Sequence, residues 1–347
     1  MKIRLLTLLL FAGHILSAQI TFIPDSIFEQ KLIDLNYDIF HDGWVITDSI
    51  NSIDSLDISS FNGQTDKITD LTGIEDFTNL QYLNCSNNKF DTLNLNNNQY
   101  LKHIICASDS IEVLMTDSLF SLDKLQCNSN NITELNLLGN PSLTELGCWD
   151  NQLDNLNLSN NIYLGYLNCG ENNITSLDVS MLDLYDLRCQ NNAISTINLD
   201  NNYSLEWLSC YNNNLQNINL TVNTNLIVLN VGNVSSQPSI YNNDLNSLDL
   251  SNNCNITTFY SKGNANLECI QVCDISAANN WNTQNIDTQH FFSIDCNYTA
   301  TNEGSERNQK IISIKDIYGR ESDIHTNSFL FYIYQNGRVK KRIILDN

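Results

Sequence analysis

LGYLNCGENNI, residues 164–174, holds the fold in eleven letters: apolar side chains at Leu164, Leu167, Cys169 and Ile174, and an asparagine, Asn172, three places after the cysteine. The pattern returns as LQYLNCSNNKF (80–90), LKHIICASDSI (101–111), LDKLQCNSNNI (122–132), LTELGCWDNQL (143–153), LYDLRCQNNAI (184–194) and LEWLSCYNNNL (205–215). Its anchors, Cys85, Cys106, Cys127, Cys148, Cys169, Cys189 and Cys210, fall 20 or 21 residues apart. A fixed period of this length marks a repeat architecture, in which each unit buries its apolar face only against its neighbours.

Working outward, each copy is followed by a second apolar half-motif: LNL at 93–95, 135–137 and 156–158, LDV at 177–179, INL at 197–199 and 218–220, LDL at 248–250. A coil of this length has no room for a long helix. In the first half, Tyr82-Leu83-Asn84-Cys85-Ser86 alternates with the period of a strand, so Leu83 and Cys85 should point inward and Tyr82, Asn84 and Ser86 outward. Stacked coils then form a parallel sheet with a spacing of about 4.8 Å. Asn88, Asn130, Asn151, Asn172, Asn192 and Asn213 stand where the chain leaves each strand; an amide there both accepts and donates, satisfying backbone groups that a buried turn orphans. Asp109 breaks this ladder, and with IEVLMTDSLFSL (111–122) in place of a clean half-motif, this turn is expected to be irregular. An insertion at 235–243, with Pro238, moves the equivalent of Val231 out to Ser261.

The copies resemble the leucine-rich-repeat family, whose pattern L-x-x-L-x-L-x-x-N-x-L is met here with cysteine at the third leucine. Together with IPDSIFEQKLIDL (23–35), ITDLTGIEDFTNLQYLNCSNN (68–88) and the LECIQV…FSIDC ending, residues 22–297 are similar to secreted leucine-rich-repeat proteins of Bacteroidetes-type bacteria. The tail, 310–347, resembles the C-terminal sorting domain of the type IX secretion system, through Ile317-Tyr318-Gly319-Arg320, Tyr332-Ile333-Tyr334 with Asn336-Gly337, and Lys340-Lys341-Arg342-Ile343-Ile344. The resemblance implies that the secretion machinery reads this tail. The expected fold is a repeat solenoid of the leucine-rich-repeat class, with a parallel β-sheet, short turns of 20–21 residues, an N-terminal helical cap and a small C-terminal β-domain. Its parts are a signal peptide (1–18), an N-terminal cap (19–60), the repeats (61–268), a C-terminal cap (269–298), a linker (299–309) and the sorting domain (310–347).

The leader has a basic head, Lys2 and Arg4, a short apolar run at 5–16 and a small-residue step at Ser17-Ala18, as export signals do. No later stretch reaches the roughly 18 apolar residues of a membrane helix. The expected location is therefore secreted or at the outer cell surface. Residues 19–304 carry 34 acidic and 7 basic side chains, which repel phosphate backbones, so nucleic acid is a poor partner. No metal-ligand frame, phosphate-binding glycine loop or nucleophile elbow occurs, and His41, His103, His290 and His325 are scattered. The expectation is a non-enzymatic chain with no cofactor and no metal.

The ladder cysteines are expected to be buried free thiols, because in-register strands hold Cβ atoms farther apart than the roughly 3.5–4.5 Å of a disulfide. Cys269 and Cys296 flank Trp281 near the end of an exported chain and should form a disulfide, with Cys254 and Cys273 the remaining pair. Outward strand positions give the columns Tyr82, His103, Lys124, Glu145, Tyr166, Asp186, Trp207 and Ser86, Ala107, Asn128, Trp149, Gly170, Gln190, Tyr211. The aromatic members, with Arg188 among them, mark the candidate binding face: Tyr82, Trp149, Tyr166, Arg188, Trp207 and Tyr211. Rigid rings on a sheet lose little entropy on binding, which suits a protein or glycan ligand. The alternative is a structural or spacer protein of the cell surface or matrix.

Overall fold

The computed structural model describes residues 19–61, 63, 65–232 and 242–296, and, of the C-terminal part, 311–315, 320–321, 328–334 and 339–344. The expected leader (1–18) and linker (299–309), residues 235–241 of the insertion, and the tail motifs at 317–319 and 336–337 lie outside the described residues. Two compact units result, 1–296 and 297–347.

The first unit opens with β1 (Ile20–Phe22), α1 (Ser26–Asp34), β2 (Trp44–Ile46) and α2 (Thr47–Ile50), β1 and β2 pairing antiparallel. Asp25 caps α1, its Oδ1 accepting from the amides of Ile27 and Phe28 at 2.9 and 3.0 Å, which satisfies two orphan donors of the first turn. Its other oxygen accepts from Thr69 N and Oγ1, tying the helix to the first coil. Phe28 and Leu32, four residues apart and so on one face of the helix, are buried; Leu35 is exposed because the helix stops at Asp34 and leaves Leu35 as its C-cap.

The body follows as three-residue strands: β3 (Ser55–Asp57), β4 (Tyr82–Asn84), β5 (Thr92–Asn94), β6 (His103–Ile105), β7 (Val113–Met115), β8 (Lys124–Gln126), β9 (Glu145–Gly147), β10 (Tyr166–Asn168), β11 (Asp186–Arg188), β12 (Trp207–Ser209), β13 (Val228–Asn230), β14 (Leu248–Leu250) and β15 (Thr258–Tyr260). Ten of them form one parallel sheet in the order β15-β13-β12-β11-β10-β9-β8-β6-β4-β3. The register is uniform, Leu83 facing Ile104, Leu146 facing Leu167 and Leu187 facing Leu208. Leucine and cysteine columns, with the second ridge, form one continuous core. Two residues after each ladder cysteine the backbone turns left-handed, at Asn87, Ser108, Ser129, Asp150, Glu171, Asn191 and Asn212. Only Asn, Asp and Gly visit that region readily, so the stacked coils must hold Glu171 there against a local cost of about 1–2 kcal/mol.

Three expectations need correction. The 111–122 segment keeps the second ridge: Leu114 and Thr116 are buried, and β7 pairs in register with β5. Its irregularity lies at the corner, where Ser110 adds a second left-handed residue to Ser108. Ser86 is buried, not outward; its hydroxyl accepts from Ala107 N at 3.2 Å, a bond a small polar side chain makes only by folding back on the corner. Asp186, also expected to face outward, is largely buried for a reason given below.

A second asparagine column went unread in the sequence. Asn98, Asn140, Asn161, Asn202, Asn223 and Asn253 are buried three residues after the second half-motif, donating through Nδ2 to carbonyls of the preceding coil, as Asn140 does to Thr116 at 2.9 Å and Leu119 at 3.1 Å. The signal was present: each half-motif is followed, three residues on, by Asn, except where Leu182 fills the slot in a coil one residue shorter.

At the far end, β16 (Cys269–Val272), α3 (Ile275–Ala278) and β17 (Phe291–Ser293) close the array, β16 lying between β14 and β17. Cys269 joins Cys296, and Cys254 joins Cys273, with Cα separations of 5.8 and 5.7 Å. Trp281 packs on Phe259 and Phe292 and donates its indole N–H to Ile256 O at 3.2 Å. The second unit contains β18 (Ile311–Lys315), β19 (Ser328–Tyr334) and β20 (Val339–Ile344), an antiparallel sheet with β19 central.

Candidate functional site

The sheet face is set by the strand period: with Leu and Cys inward, the residues before and between them stand on the other side. Three of the expected residues meet. Arg188 lies with its guanidinium carbon 4.7 Å from the Trp207 ring centre and 5.8 Å from that of Tyr166. A cation over aromatic faces at these distances is attracted by the ring quadrupoles. Sequence reasoning missed what orients it. Asp186, two residues back on the same strand and so on the same face, accepts from Nε at 2.9 Å and Nη2 at 2.8 Å. This bidentate clamp explains why Asp186 is buried beneath the arginine, and it raises the Arg188 pKa chiefly through that hydrogen bond. The D-L-R spacing on an alternating strand was the available signal.

Trp149 is half-buried, two residues past the end of β9, its amide donating to Asn128 Oδ1 at 3.0 Å. Tyr211 is half-buried beyond β12; desolvation raises its phenol pKa, and a hydrogen bond with Asn191 pulls the other way. Tyr82 is on β4, four strands from β10, roughly 19 Å at about 4.8 Å per strand. It is not part of the Tyr166–Arg188–Trp207 cluster. Beside the cluster, Tyr185 lies over Gly165, where a Cβ would come within 2.9 Å of its ring. Lys124 pairs with Glu145 at 2.5 Å, and Lys102 donates to Gln81 at 2.9 Å. Three of the seven basic side chains of residues 19–304 therefore sit on or beside this face.

Off the face, a shallow polar cavity of about 390 Å³ is lined by Asp70, Thr72, Glu75, Thr92, Asn94 and Asn97. Its carboxylates are engaged locally, Asp70 by Thr72 and Glu75 by Gly73 N.

A serine, a histidine and an aspartate also converge in the C-terminal cap. Ser261 Oγ is 3.0 Å from His290 Nδ1, and His290 Nε2 lies 3.3 Å from Asn264 O and 3.7 Å from Asp287 Oδ2. These are the residue types of a hydrolase triad. Ser261 and the His290 side chain are fully buried, however, and Ser261 occupies the inward slot of the cysteine column, so no substrate carbonyl reaches its hydroxyl. Burial lowers the His290 pKa, as expected of a neutral ring fastening the cap.

The ladder asparagines bond alike. Asn151, Asn172, Asn192 and Asn213 accept through Oδ1 from Ile132, Leu153, Ile174 and Ile194 N, and donate through Nδ2 to their own and the preceding cysteine carbonyls. Asn130 donates likewise to Cys106 O and Cys127 O, and Asn88 to Cys85 O and, on the preceding coil, Ile58 O. The seven ladder cysteines are free and buried, burial pushing their thiols up, Cys127 to about 12.

No protein-family model and no curated protein matches the chain. Solved structures do. The functional domain of InlJ from Listeria monocytogenes, described as including a cysteine ladder, is 27% identical with a TM-score of 0.55, over 74% of this chain and 62% of that one. A leucine-rich-repeat protein of Leptospira interrogans is 20% identical with a TM-score of 0.54, over 71% and 62%. The plant peptide hormone receptor RGFR1 in complex with RGF2 is 18% identical with a TM-score of 0.52, over 65% and 37%. The chain thus spans less than two thirds of the length of these relatives. Among the described residues no helix is long and apolar enough to cross a membrane. The strand register, the asparagine columns and these likenesses together show that the described coils of the first unit have the leucine-rich-repeat solenoid fold.

Proposed function

We propose that the chain is an exported recognition scaffold that holds a protein or glycan on its sheet face, with Tyr166, Arg188 and Trp207 at the centre of the contact and Trp149 and Tyr211 flanking it. The observation that carries this reading is the Arg188 guanidinium fixed between two rings by a bidentate carboxylate. Trp, Tyr and Arg dominate binding energy at interfaces, and a side chain already held in one rotamer loses little entropy when a partner covers it. The cations gathered here offset carboxylates on the same face, Arg188 beside Asp186 and Lys124 beside Glu145, within an otherwise acidic body. Export through the leader at 1–18 and sorting by residues 310–347 belong to the same proposal; the two disulfides support an oxidising destination.

The test is capture of partners by the immobilised full chain, from a glycan array and from extracellular protein, followed by the same capture with Trp207→Ala and Arg188→Ala. Each variant should keep its fold and weaken binding by at least about 1 kcal/mol, roughly fivefold. Unchanged affinity in both removes the cluster from the binding site. A face that captures nothing, in a protein that fractionates with surface layers, favours the spacer role.

A further inference from the structure

One member of the first asparagine column is an acid. On either side of it the amide has two tasks, as in Asn151, whose Oδ1 accepts from Ile132 N at 3.0 Å while Nδ2 donates to Cys127 O and Cys148 O at 3.0 and 3.1 Å. Asp109 fills the same slot with no N–H to give. It is fully buried; Oδ1 accepts from Asn88 N, and Oδ2 is sealed from solvent with no hydrogen-bond partner among the described residues. In the ladder pattern the groups facing this slot are the carbonyls of Cys85 and Cys106, which accept from Asn88 and Asn130 at 2.7 and 2.8 Å. A carboxylate oxygen among carbonyl oxygens is repelled, whereas a carboxylic acid O–H replaces the missing amide donor. The corner is rerouted around it. Ser108 and Ser110 are both left-handed, and the amides of Asp109 and Ile111 share Asn130 Oδ1, each at 3.0 Å.

We propose that Asp109 is held in the folded solenoid as a neutral carboxylic acid standing in for a ladder amide, which makes this corner a proton-operated joint, closed in mildly acidic medium and loosened in alkaline medium. The charged and titratable groups around it do not remove the need for the proton. Lys67 acts on Asp109 through space and favours the anion, but its ammonium is engaged by the carbonyls of Asn87 and Phe61. The Cys85 and Cys106 thiols are themselves pushed well up by burial and stay neutral. Burial dominates at Asp109, raising its pKa from 3.8 to about 7. For an acid whose folded pKa is raised, the folded chain keeps a proton that the unfolded chain releases. The stabilisation is present in full below the unfolded value and is lost as pH rises, by up to about tenfold in the folding constant per pH unit, until it levels off near pH 7.

The test compares the full-length chain with Asp109→Asn by urea unfolding across this range. The asparagine variant should match the wild type near pH 4, exceed it increasingly up to about pH 7 and keep that margin to pH 8, and amide exchange in residues 85–111 should slow in the variant at pH 8 while residues 172–213 stay unchanged. A difference between the two proteins that does not vary with pH overturns the proposal. An infrared measurement on the wild type alone covers the case of a variant that fails to fold. A protonated carboxyl stretch should persist at pH 6, when exposed acids are ionised, and vanish on titration to pH 9; its absence at pH 6 refutes the neutral acid.

Discussion

Asn172 shows what one residue contributes here. Its Nδ2 donates to the carbonyls of Cys148, Cys169 and Gly170, and its Oδ1 accepts from Leu153 N, all within the buried corner. Asn172→Ala strands those backbone groups away from water, and each unsatisfied group costs about 1–3 kcal/mol. Urea melts should therefore show a loss of at least about 2 kcal/mol. The second column predicts the opposite sensitivity. Asn161 leaves its Oδ1 unpartnered, and the chain already tolerates leucine in the equivalent slot at Leu182. Asn161→Leu should cost clearly less than Asn172→Ala in the same melts; an equal loss would show that the two columns are equivalent supports. The first column was legible because an amide beside a repeated cysteine has an evident task. The clamp on Arg188 was not, because period-two alternation says only that Asp186 and Arg188 share a face, whereas their pairing depends on side-chain rotamers.

At the scale of elements, each three-residue strand is too short to stand alone and exists because its neighbours supply both edges. The ends lack one neighbour, so the chain fastens them differently: a capped helix at one side, two disulfides and a half-buried tryptophan at the other. Replacing Cys269 and Cys296 with serine should lower stability by about 2–4 kcal/mol, and peptide mapping without reductant should recover the two residues joined. The ladder thiols should behave in the opposite way. Being buried and neutral, they should resist alkylation in the native protein and all seven should react on unfolding. Rapid native alkylation of any of them would mean that its coil opens. The strands and the C-terminal pairing were readable from cysteine position alone. The 111–122 segment misled because a threonine at a ridge position reads as a break, yet Thr116 buries there with its hydroxyl on Asn140 Oδ1 at 3.3 Å.

For the molecule as a whole, the division at residue 296 separates an acidic array from a basic tail of different architecture. A chain ending near Thr301 should keep the cooperative melt of the array, with an unchanged midpoint in calorimetry. Unfolding of the repeats on truncation would show that residues 310–347 belong to the core. The seven cysteine-bearing coils were plain in the sequence, since a period of 20 or 21 residues counts itself; the sheet's other three strands, β3, β13 and β15, carry no ladder cysteine to announce them. The role of the sheet face was not plain, because outward positions are free of the packing constraint that makes the inward ones legible.

The ladder also settles how much the chain tolerates between its coils. Asn213 reaches the carbonyl of Cys210 three residues back, whereas Asn243 makes the equivalent bond to Val231 across twelve, and still takes Leu215 N at 3.0 Å and gives to Cys210 O at 2.8 Å. The amide, not the count of residues before it, holds the next coil in phase. A segment ahead of such an amide can therefore be lengthened without disturbing the stack. Between Val231 and Asn243 the array has a splice point where mutation can try new sequence while the core behind it is left as it was.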